Sequence, residues 1–170
     1  GTESYAAVCG YEPDFIKIEN MAVGSGITLE NSPNKKYKGE SDRALINGMG
    51  GTINYQDESW QGFEAEDLVA IIDLGSAKAI NSVEVRFLQS QVFWIFLPYH
   101  IQIEHSIDGN HFELIYEDYP SNDFSFEQKI ISYKANLGPL KSRFIRVKGY
   151  NIDQCPDYHP GAGGPSWIFS

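Results

Sequence analysis

Residues 99–116 read YHIQIEHSIDGNHFELIY, and this stretch decides the fold class. Ile101 and Ile103 fall on one face of an extended segment, with Gln102 and Glu104 on the other. Phe112, Leu114 and Tyr116 keep the same period of two further along. Between these runs lies SIDGN at 106–110, whose Asp108-Gly109 pair suits the positive φ angles of a tight hairpin turn. The stretch therefore predicts two antiparallel strands.

The same pattern continues outward. Residues 81–88, NSVEVRFL, place Val83, Val85 and Phe87 opposite Glu84 and Arg86, as in a half-buried strand. Residues 68–74, LVAIIDL, are nearly continuous in apolar character, which predicts a strand buried on both faces. A further strand pair is expected at 126–133 and 143–147. The best helical candidate, residues 42–46, is too short to organise a domain. Strands at this spacing, joined by polar turns, predict an all-β antiparallel sandwich.

The 170 residues suit one domain. We divide it into an N-terminal extension with the first strand or strands (1–36) and the main sandwich (37–170). Thirteen basic against 23 acidic residues give a net charge of −10. Such a surface repels phosphate backbones and anionic lipid, which argues against nucleic acid and against insertion into a membrane. It leaves neutral sugars, cations and basic proteins as partners. No apolar run reaches the ~18 residues of a membrane span, and residues 1–30 show no secretion signal. Cys9 and Cys155 could pair as one disulfide or stand as two free thiols.

Catalytic signatures are lacking. The sequence holds no Gly-x-Ser-x-Gly, no phosphate-binding glycine loop and no metalloprotease helix. Glu64, Glu66 and Asp67 form a carboxylate run, but one better read as a solvated loop before a strand. The run Cys155-Pro156-Asp157-Tyr158-His159 has no common zinc spacing. The fragment is not expected to be an enzyme. Function is expected instead in three long loops: NGMGGTINYQDESWQGF (47–63), QSQVFWIFLP (89–98) and QCPDYHPGAGGPSW (154–167).

Four motifs carry a resemblance. They are Asn47-Gly48 with Thr52 and Trp60, then Asp73-Leu74-Gly75, Ser106-Ile107-Asp108-Gly109, and Arg143-Phe144-Ile145-Arg146. In this order they resemble the discoidin, or coagulation factor V/VIII type C, family. That family has a galactose-binding-like jelly roll and includes the family 32 carbohydrate-binding modules. WQGFEAED, FLQ, WIFLP and CPDYHPGAGGPSWIF look more specifically like the C-terminal domain of bacterial family 20 β-N-acetylhexosaminidases, many from Bacteroidetes.

The resemblance implies a non-catalytic, secreted, periplasmic or cell-surface module of a glycoside hydrolase. Its partners would be a glycan of galactose or N-acetylglucosamine type and the catalytic domain of the parent chain. A protein-interaction or bracing role is the alternative. The family also implies structural calcium, held here by the carbonyls of Ala44 and Leu45 and by Asn47 and Thr52, although Asn47 stands where the family has Asp. A sugar site needs rings to stack on pyranose C–H faces and planar polar groups to fix hydroxyls. By analogy with the end loops of related modules, the candidates are Tyr55, Trp60, Gln61, Gln91, Trp94, Asp157 and His159. Trp60 and Trp167, beside strand starts, read more readily as core than as platform, and Trp94, within the apolar run WIFLP, has a packed reading too.

Overall fold

A computed structural model describes Ile16, Lys17 and residues 20–170. Cys9, and with it the pairing considered for Cys155, lies outside the described residues. The strands are β1 (Ile16–Lys17), β2 (Gly26–Leu29), β3 (Met49–Gly50), β4 (Gly62–Glu64), β5 (Leu68–Gln89), β6 (His100–Ser106), β7 (Glu113–Asp118), β8 (Lys129–Tyr150) and β9 (Trp167–Phe169). Among the described residues there is no α-helix; Lys35–Tyr37, Ala44–Ile46 and Gln91–Phe93 form 3-10 turns. A five-stranded antiparallel sheet runs β2-β5-β8-β6-β7, and β1-β3 and β4-β9 form two-stranded pairs. The all-β sandwich expected from the sequence is the fold observed.

β5 and β8 each run for 22 residues. Straight, such a strand would reach about 70 Å, whereas a compact domain of this size is about 40 Å across. The strands therefore bend. Their register slips between Asp73 and Lys78 and again between Ile80 and Ser82. At the first slip Gly75 takes φ +85°, and its N–H donates to the Asp73 carboxylate at 2.8 Å. Arg143 clamps the same carboxylate with two bonds of 2.8 and 3.0 Å. These donors hold the Asp73 carboxyl below its usual range, the Arg143 bond contributing most.

The bend makes two layers out of one strand pair. Phe87, near the end of β5, has its ring tip against Gly149, where an added Cβ would lie 3.1 Å from it. Gly149 is the register partner of Leu68, at the start of β5. The first and last turns of β5 thus face each other across the core. Phe87, Leu68, Ile101, Ile103, Ile145 and Val147 belong to one buried cluster. A second cluster gathers Trp60, Leu88, Ile95 and Phe169.

Three expectations need correction. Residues 68–74 are not buried on both faces: Leu68, Ala70 and Leu74 are buried while Val69, Ile71 and Ile72 are half-buried. Residues 126–133 and 143–147 do not pair with each other. They are two stretches of one region, β8 beginning only at Lys129, and both halves of β8 pair with β5. Residues 81–88 likewise continue the strand that starts at Leu68. The hairpin at 99–116 is present as β6–β7. In its turn the Asp108 carboxylate accepts the N–H groups of Asn110 (2.8 Å) and His111 (2.9 Å). It also meets the His111 ring at 2.7 Å. This cage, led by the His111 N–H, holds the Asp108 carboxyl far below its usual range.

Candidate functional site

The three long loops converge at one end of the sandwich. His159, from the last of them, is buried and lies 2.6 Å from the carbonyl of Gln91 through Nε2. The Gly161 N–H reaches His159 Nδ1 at 3.0 Å, so both ring nitrogens are used in a neutral tautomer. Phe93, from the middle loop, has its ring 4.5 Å from that of Tyr55, from the first loop. The middle loop turns back at Trp94, a non-glycine residue held at φ +66°. Trp167 then bridges back to Ile95, its N–H donating to the Trp94 carbonyl at 2.9 Å.

Four of the seven candidate sugar contacts are structural. Trp60 is 3% exposed and its indole N–H donates to the Thr52 carbonyl at 2.7 Å. Gln61 is buried, its amide bonded to the carbonyls of Lys38 (3.0 Å) and Ser41 (3.3 Å). Gln91 is buried and donates to the Asp123 carbonyl at 2.9 Å. His159 is committed as described. Such side chains offer no free ring face to a ligand, because they are buried and their N–H groups hold loops together, while Gln61 Oε1 is enclosed without a partner.

The other three stay accessible. Asp157 is exposed and Tyr55 half-buried. Trp94 is 36% exposed, and its ring rests on Gly161 and Gly164, where a Cβ would come within 2.5 Å. It is therefore packed on one side and open on the other.

Tyr37, Tyr55, Phe93, Ile95, Trp167 and Phe169 enclose a hollow of about 110 Å³. Tyr37 meets Trp167 edge-on at 5.3 Å and Tyr55 at 5.8 Å. Tyr37 and Phe93 were not singled out from the sequence. Tyr37 sits in a lysine-rich turn, and Phe93 lies inside the apolar run 92–98, which reads as core. Their signal was that large rings stand in loops, where burial is not guaranteed. The hollow has room for about four waters, enough for one substituent of a sugar and too little for a whole ring.

The residues expected to hold calcium form a different arrangement. Asn47 Oδ1 accepts the Met49 N–H at 2.9 Å, and its amide donates to Glu40 at 2.7 Å. Thr52 Oγ1 accepts the Asn54 N–H at 3.2 Å, and Asp57 accepts the N–H groups of Thr52 and Ser59. Ala44 is buried and Leu45 half-buried in their 3-10 turn. Among the described residues no three of His, Cys, Asp and Glu gather in a metal-binding group. Both side-chain oxygens are engaged in local turns and neither carries charge, so a cation here would rest chiefly on the carbonyls of Ala44 and Leu45.

No protein-family model matches the sequence, and neither does any curated protein. Solved structures do share the fold. A family 32 carbohydrate-binding module produced by Clostridium perfringens, in complex with GlcNAc-α-1,4-galactose, aligns with a TM-score of 0.54 at 14% identity, over 95% of this chain and 98% of its own. Chitosan-binding module 1 of a Paenibacillus chitosanase/glucanase gives 0.53 at 11%, over 89% and 96%. A Streptococcus pneumoniae fucose-binding module gives 0.53 at 12%, over 89% and 91%. At these identities the likeness is one of fold: the chain shares the antiparallel β-sandwich of these modules.

Proposed function

We propose that this chain is a non-catalytic carbohydrate-binding module, accessory to a secreted bacterial glycoside hydrolase. The observation that carries this reading is the pairing of the Phe93 and Tyr55 rings, 4.5 Å apart, at the mouth of the aromatic hollow. Phe93 is 46% exposed although it lies between well-packed loops, so its ring offers a fixed apolar face to solvent. A pyranose stacks its C–H face on Phe93, and a substituent such as an acetamido methyl enters the hollow. The gain for the enzyme is avidity, a weak second contact that keeps it beside its substrate. The motifs at 60–67, 87–89, 94–98 and 155–169 support a family 20 hexosaminidase as the parent.

Titration calorimetry with galactose, N-acetylglucosamine and GlcNAc-α-1,4-galactose tests this reading. Phe93→Ala is expected to weaken binding about tenfold with no change in melting temperature. If no sugar binds at all, the exposed strip Val92-Phe93-Trp94 is better read as a face that braces the module against its catalytic domain.

The same reading treats the loop at Asn47 as held by its own hydrogen bonds. Asn47→Ala is expected to lower stability by about 1–2 kcal/mol, equally in calcium and in chelator. Thermal melts in both buffers check it, and a loss seen only in calcium would restore an ion to the loop.

A further inference from the structure

A second aromatic surface lies across the same 3-10 turn from the hollow. Phe124 is 61% exposed, Phe126 46% and Tyr158 39%. Their rings touch edge-on, Phe124 to Phe126 at 4.9 Å and Phe124 to Tyr158 at 5.6 Å. Rings left in water on a flexible loop would be unremarkable, but residues 119–128 are fixed. Asn122 exchanges two bonds with the Leu97 backbone, at 2.9 and 2.7 Å. Buried Gln91 holds the Asp123 carbonyl at 2.9 Å, and buried Gln89 holds that of Glu127 at 3.2 Å. The Tyr158 hydroxyl lies 2.5 Å from the Asn122 carbonyl and 3.3 Å from Gln91 Oε1. Buried amides thus fix an irregular segment whose aromatic side chains are kept outside.

Gln91 ties this surface to the first. It opens the 3-10 turn that ends at Phe93, so the two aromatic groups are separated by the tip Val92-Phe93-Trp94. Val92, Phe93 and Trp94 are all exposed apolar residues. Asp123, Glu127 and Asp157 stand exposed around Phe124, Phe126 and Tyr158. Those carboxylates disfavour an acidic or sulfated ligand.

Building on the sugar-binding reading above, we propose that Phe124, Phe126 and Tyr158 form a second platform. The ligand is then a neutral oligosaccharide several units long, lying across the tip, rather than a single terminal sugar. Each platform stacks one pyranose. The fixed loops add affinity by sparing the ordering cost that a mobile surface would incur on binding.

Titration with mono-, di-, tetra- and hexasaccharides of β-1,4-linked N-acetylglucosamine, glucose and galactose tests the proposal. The hexasaccharide of the preferred series is expected to bind about tenfold more tightly than its monosaccharide. The double variant Phe124→Ala/Phe126→Ala is expected to remove that gain while a monosaccharide still binds the first platform with unchanged affinity. Phe124→Tyr, which keeps a ring, is expected to retain it. Affinity that does not grow with length, or growth that survives in the double variant, overturns the second platform alone. Absence of binding to every sugar, monosaccharides included, overturns the sugar-binding reading itself.

Discussion

Replacing Asn151 with Ala is expected to lower the stability of this domain by about 4 kcal/mol, the largest loss from any single polar substitution. Asn151 is 2% exposed and every polar atom of its side chain is used. Its amide faces the carbonyls of Glu66 at 3.1 Å and of Phe63 and Ser166 at 3.4 Å. Its carbonyl oxygen accepts from the Asp153 N–H at 2.8 Å and the Ser166 hydroxyl at 2.5 Å. Its own N–H donates to Asp67 at 2.8 Å. One side chain therefore joins the end of β8, the turn between β4 and β5, and the segment entering β9. Alanine would strand several buried groups at once, each costing about 1–3 kcal/mol. A fall of about 10 °C in melting temperature is expected for a domain of this size. A shift of less than about 3 °C would show that the network relaxes around the gap.

Phe87→Ala is the second large loss, expected at about 3–5 kcal/mol. Phe87 is wholly buried, meets Tyr133 edge-on at 6.1 Å, and fills the space in front of Gly149. It is the contact by which the far end of β5 closes over its beginning. Removing the ring leaves a cavity that neighbouring backbone cannot fill, because both walls are paired strands. Urea unfolding checks this through a lower midpoint at unchanged slope. Sugar affinity should persist under native conditions, since Phe87 belongs to the main core and not to the aromatic hollow.

Period-two alternation was legible in 81–88 and 100–106, but it failed in the return strand, where Leu114 is exposed and Ile115 packs on the core instead. The joining of 68–74 with 81–88 was not legible. Gly75 turns the chain within the register slip, and the strand continues only because residues 78–80 pair with the remote residues 140–142 of β8. The same alternation misled at 126–128, expected to open a strand but belonging to a loop fixed by distant amides, β8 starting only at Lys129. Long loops rich in rings do gather at one end of the sandwich. Which of their residues face outward was hidden, because Gln61, Gln91 and His159 are polar by type yet buried by tertiary bonds. Conversely, Phe93 is apolar by type yet half-exposed.

The 22-residue length of β5 and β8 has a consequence for biosynthesis. β5 is complete by Gln89, but its central neighbour emerges from the ribosome only with Lys129–Tyr150. Through that interval the nascent chain carries a long, largely apolar edge with β2 alone beside its first part. Pairings between residues so distant in sequence close slowly. Production of this domain should accordingly be governed by how well that edge is shielded during translation, by chaperone or by slow synthesis, more than by the stability of the finished sandwich.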